Sequence, residues 1–137
     1  MDPSSADAAQ LLIVLAGSVI LLVFHVLLQG GLATRELGVD WNAGPRDGNQ
    51  QPKGKLPGRA ARASENYRET YPAFISLAAA LFFTGDVSGL GIVGAWIWFL
   101  CRLVYIPLYL AGIAYIRSLV WLASLLGLLL MIIGVFL

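Results

Sequence analysis

Three groups of polar residues in this chain stand at spacings that bring their side chains together. Arg62, Glu65, Asn66 and Glu69 fall at i, i+3, i+4 and i+7, one face of a helix. Arg102, Tyr105 and Tyr109 recur at i, i+3 and i+7, so another helix presents a guanidinium and two phenols on one side. Arg117 follows at the start of a last helical run. Ionisable groups at membrane depth are rarely left facing lipid, so together the groups describe a polar cavity between helices. Blander readings exist for single residues. Arg62 and Arg68 suit interfacial anchors whose stems snorkel to the head groups, and Tyr105 and Tyr109 suit an aromatic belt. Arg102 lies deep in its segment, with Glu69 as the expected partner, and such a pair can also simply fix helix register. His25 and Gln29, four apart, read as interhelical hydrogen-bonding residues rather than ligands. No His, Cys or carboxylate pair has metal-ligand spacing, and no nucleophile–base pair or phosphate loop is visible.

The elements that carry these residues are apolar. The chain is 58% hydrophobic and only 12% charged, against about 25% charged in soluble domains, which points to a bilayer as solvent. A net charge of +1 with no basic face argues against a nucleic-acid partner. The single Cys101 excludes an intrachain disulfide. Four segments are expected to span, at 8–29, 63–84, 90–110 and 115–137. Each is close to the roughly 20 helical residues a hydrocarbon core requires. A signal peptide is the rival reading of the first, and Asp2 and Asp7 oppose it by standing where a basic region belongs. The second segment has a charged start, Gly58 to Tyr71, and Pro72 is placed to kink it where its polar and apolar halves meet. Turns are expected at 84–89 and at 111–114 around Gly112, and the Gly- and Pro-rich stretch 33–57 reads as an irregular loop.

Seven of the nine basic residues (Arg35, Arg46, Lys53, Lys55, Arg59, Arg62 and Arg68) lie in or next to that loop, and Arg117 stands at the following loop on the same side. The N-terminus and the 84–89 turn hold only acids. By the positive-inside rule both termini face away from the cytoplasm and the polar cavity opens toward it.

The run Arg62-Ala63-Ser64-Glu65-Asn66-Tyr67-Arg68-Glu69-Thr70-Tyr71-Pro72 resembles the signature of the MAPEG family, membrane-associated proteins in eicosanoid and glutathione metabolism. The shared pattern is Arg, Asn four later and Glu three after that, heading the second helix. Arg102, Tyr105 and Tyr109 on the third helix match a further family pattern, as does the Arg117-Ser118 pair opening the fourth. Gly44-Pro45-Arg46-Asp47 is similar to a loop of bacterial members.

The resemblance covers nearly the whole chain and implies an all-α, four-helix transmembrane bundle, one membrane-embedded domain over 1–137 assembling as a homotrimer. It implies multi-pass residence in a bacterial inner membrane. It also implies glutathione bound between subunits, held by Asn66, Glu69, Tyr105 and Tyr109, with Arg62 and Arg102 binding or supporting it through charge. Arg117 would stabilise the thiolate, with Ser118 beside it. The expected activity is a glutathione-dependent transferase or peroxidase acting on lipophilic electrophiles. Two alternatives are a non-enzymatic lipid-binding scaffold and a small multidrug transporter. The latter wants a membrane-embedded carboxylate in the first segment, and 8–29 has none. The chain departs from the family pattern where Glu65 replaces an arginine and Trp121 a tyrosine.

Overall fold

In the lipid-like parts of the chain nothing competes with helix, and each apolar run becomes one. The computed structural model describes residues 3–84 and 89–137, with side chains from Ala6 onward. It is all-helical, and among the described residues there is no strand. The elements are α1 (Pro3–Leu37), α2 (Val39–Ala43), α3 (Lys55–Thr84), α4 (Leu90–Leu110) and α5 (Tyr115–Phe136). Among the described residues three stretches are long and apolar enough to cross a membrane: Ala6–Leu37, Leu90–Leu110 and Tyr115–Phe136. α3 is not one of them, because Lys55, Arg59, Arg62, Glu65, Arg68 and Glu69 crowd its first half.

Two boundaries move outward from their expected places. α1 continues past Gln29 to Leu37, since no proline interrupts it, and it stops only where Gly38 takes a left-handed φ of 96°. α3 begins at Lys55, with Pro57 in its first turn, where a missing N–H does no harm. The stretch read as an irregular loop is therefore shorter and contains a helical turn of its own, α2. Pro72 does not interrupt α3, which runs on to Thr84. The expected 84–89 turn falls on residues 85–88, outside the described residues. The turn around Gly112 is as expected. There the Gly112 N–H donates to Tyr109 O at 3.1 Å, with a left-handed φ of 75° ending α4.

The four long helices share one core. α1 contributes Leu11, Val14, Ser18, Leu21 and His25, a 3–4 spacing, while its other sides expose Leu12, Ile13, Ile20 and Leu27. α3 turns Tyr67, Tyr71 and Phe74 inward onto Trp98 of α4, and the Phe74 and Trp98 rings stack at 4.0 Å and 9°. Such pairs contribute roughly 0.5–1.5 kcal/mol beyond the area they bury. α4 and α5 pack almost backbone to backbone. A Cβ added to Gly127 would lie 2.7 Å from both Gly94 O and Trp98 N, and one on Gly134 would lie 2.7 Å from Gly91 N. Small residues are what allow helices to approach this closely where lipid offers no hydrophobic drive.

Candidate functional site

With Tyr67, Tyr71 and Phe74 committed to the core, the opposite face of α3 is left outside. Arg62, Glu65, Asn66 and Glu69 on that face, Tyr105 and Tyr109 of α4, and Arg117 of α5 line one open cleft of about 320 Å³. That is the size of a small-ligand site. Its lining carries two guanidiniums, two carboxylates, an amide and two phenols. Within it the Arg117 guanidinium lies 4.5 Å from the Tyr109 ring centroid, a cation–π contact that steadies an otherwise long side chain. The Tyr105 and Tyr109 rings meet at 5.5 Å and 58°.

Six of the eight residues singled out from sequence therefore stand around one cleft: Arg62, Asn66, Glu69, Tyr105, Tyr109 and Arg117. Glu65 joins them. Two do not. Ser118 is exposed and its hydroxyl donates back to Ala114 O at 3.2 Å. Arg102 is 1% exposed and sits behind Tyr105, its guanidinium 4.5 Å from that ring and 5.5 Å from the Tyr67 ring. The expected Arg102–Glu69 pair is not formed, for none of the three guanidinium nitrogens has a hydrogen-bond partner. Glu69 faces out into the cleft, whereas Arg102 points into the core and is met by aromatic faces.

His25 also differs from expectation. Neither ring nitrogen makes a hydrogen bond, and the ring packs 4.9 Å from Tyr67 instead. The interhelical hydrogen bonds between α1 and α3 come from other groups. Tyr67 Oη donates to Ser18 O at 2.5 Å, and Ser18 Oγ and Tyr71 Oη lie 3.1 Å apart. Gln29 lines a separate space between α1 and α3.

Sequence reasoning missed Arg59. Its Nη1 donates to Leu110 O at 3.1 Å, so a cation from α3 caps the C-terminal end of α4 and fixes the α4–α5 turn beside the cleft. The left-handed φ of 75° leaves position 112 to glycine, and a Cβ there would fall 2.7 Å from the same guanidinium, whose flexible side chain could yield. The only hint in the sequence was one more arginine in a run already rich in them.

Neither a curated protein nor a solved structure matches this chain significantly. The profile of the MAPEG family matches residues 11–137, essentially the whole of it, and the chain belongs to that family.

Proposed function

We propose that the protein is a glutathione-dependent transferase or peroxidase that acts on lipophilic electrophiles. The family includes enzymes of both kinds. The observation that carries the reading is the convergence of α3, α4 and α5 on one cleft that holds Arg62, Asn66, Glu69, Tyr105, Tyr109 and Arg117. Glutathione has two carboxylates, one ammonium, two amides and a thiol. Arg62 answers a carboxylate, Glu69 the ammonium, and Asn66 and the two phenols the remaining polar atoms. Arg102 supports the site from behind Tyr105, and Ser118 stands next to Arg117 in sequence. The thiol is a poor nucleophile until deprotonated. The Arg117 guanidinium, free of any carboxylate on its own helix, favours the thiolate by direct charge. Both transfer and peroxide reduction start from that thiolate.

The same reading assigns four membrane spans and a homotrimer. α3 exposes Glu65, Glu69 and Ser76 along one side, and a charge facing hydrocarbon is unfavourable by about 2.5–3.5 kcal/mol on insertion scales. Covering that side with α3 of neighbouring copies removes the problem and closes the open cleft between subunits. Cross-linking in mild detergent is expected to stop at the trimer. The basic loop supports a cleft on the cytoplasmic side with both termini opposite, by the positive-inside rule.

Calorimetry on detergent-purified protein tests the ligand. Wild type is expected to bind glutathione, and Glu69→Ala to weaken binding by about 1.5–3 kcal/mol, the range for a charge-assisted hydrogen bond. Absence of any binding heat in the wild type removes glutathione from the account.

A further inference from the structure

The connection between α1 and α3 is tied together more firmly than a solvated loop requires. Glu36, in the last turn of α1, accepts the backbone N–H of Lys53 and of Gly54, each at 2.6 Å, so the end of the connection is clamped to its beginning. Between them Arg46 takes a φ of 59°, in the left-handed region that long side chains seldom adopt. Three contacts hold it there. Its Nη2 donates to Asn42 O at 3.1 Å and to Asn42 Oδ1 at 2.5 Å, and its guanidinium lies 4.4 Å from the Trp41 ring centroid. Backbone strain persists when its surroundings over-determine it, and it concentrates where a side chain must be kept in one place.

What Arg46 is kept beside is a second cleft, of about 400 Å³, between α1, α2 and α3. Its polar wall is Gln29, Asn42, Arg46, Ser64 and Arg68, with the Trp41 indole among them. Two guanidiniums line it and no carboxylate does. Ser64 is 1% exposed and its hydroxyl has no hydrogen-bond partner, and neither has the Trp41 Nε1–H. The cleft therefore offers an excess of donors under a positive charge. A group with several anionic oxygens satisfies them together. Below this polar end the cleft runs onto α1 at Val26, and Val23 and Val19, one and two turns further along the same face, are about half exposed. A polar mouth at the basic end of a helix, continued by an apolar strip, has the shape of an amphiphile.

We propose that this cleft binds the anionic head group of a lipid, a phosphate or a carboxylate, between Arg46 and Arg68, with the acyl chain along Val26, Val23 and Val19. Basic pockets at the interface between helices hold anionic head groups in this manner. The site uses a different side of α3 from the Arg62–Glu69 face and requires nothing of the glutathione reading.

Tryptophan quenching by brominated lipids tests it on the full chain in neutral detergent. Dibromo-phosphatidylglycerol is expected to quench saturably, with half-saturation at least tenfold below that of dibromo-phosphatidylcholine. Trp41→Phe is expected to remove most of the saturable part. Arg68→Gln, on the outer face of a helix, and Arg46→Gln, in the loop, are each expected to raise the half-saturation concentration at least fivefold without lowering the thermal midpoint. A brominated fatty acid separates the sources. If it saturates in the same range and competes, the head group is a carboxylate; if it does neither while phosphatidylglycerol binds, it is a phosphate. Equal quenching by the two phospholipids, or unchanged phosphatidylglycerol binding in a normally folded Arg68→Gln protein, overturns the proposal. Because Arg68 lies outside the loop, the Arg68→Gln result stands even where Arg46→Gln loosens the loop.

Discussion

The two ends of the α4–α5 pair are built on opposite terms. At one end Gly91 and Gly94 meet Gly127 and Gly134, and the helices touch through their backbones with no room for a single added carbon. At the other end Tyr105, Tyr109 and Arg117 stand between the helices and α3, and the space they leave is the cleft. One helix pair thus closes to its limit near Gly94 and opens near Tyr109. The closed end fixes how closely the helices lie, and the open end leaves room between them for large polar side chains. Between the two ends sits Trp98, stacked on Phe74 and within 6.1 Å of the Tyr67 and Tyr71 rings.

If this division is right, damage to the closed end should unfold the protein and damage to the open end should not. The largest effect is expected from Trp98→Ala. It removes a fully buried indole from an aromatic cluster and is expected to destabilise by about 3–5 kcal/mol, read as a large fall in the thermal midpoint in detergent. Gly127→Val comes next. Its new side chain meets backbone on α4, which cannot yield as a flexible side chain does, and a loss of about 2–3 kcal/mol is expected from overpacking. A Gly127→Val protein that melts with wild type would show that the seam does not hold the pair. The smallest is Arg59→Ala. It leaves Leu110 O uncapped at the open end and is expected to lower stability by only about 0.5–1 kcal/mol, while loosening the turn that places Arg117.

The closed end was only partly legible in the sequence. Apolar runs with glycines announced helices 90–110 and 115–137, but nothing in their order says which glycines face each other. The cleft was more legible, because charged residues in an apolar chain are few and their 3–4 spacing survives in the structure as a shared face for Arg62, Glu65, Asn66 and Glu69. The pairing of Arg102 with Glu69 was misread for a related reason. It has the spacing of Tyr105 and Tyr109, and periodicity does not say which side of a helix face turns into the core. Only packing shows that its guanidinium lies against Tyr67 and Tyr105 rather than Glu69. The order in 38–54 was hidden altogether. Glu36 reaching Lys53 and Gly54, and Arg46 stacking on Trp41, are contacts that Gly- and Pro-rich composition disguises as irregular loop.

On the proposed function, the open end binds glutathione and turns its thiol into a thiolate beside Arg117. Ultraviolet absorbance of the thiolate, measured as glutathione is added to the purified protein near neutral pH, addresses this directly. A free cysteine thiol titrates at about 8.5, so roughly a few per cent is ionised under those conditions and any strong stabilisation stands out. The wild type is expected to give a saturable thiolate signal, and Arg117→Ala to abolish it while changing glutathione affinity by about 1–2 kcal/mol or less, since Arg62, Asn66, Glu69 and the phenols remain. Glutathione binding without thiolate, the same in wild type and in Arg117→Ala, would contradict the account and leave a binding scaffold in place of an enzyme.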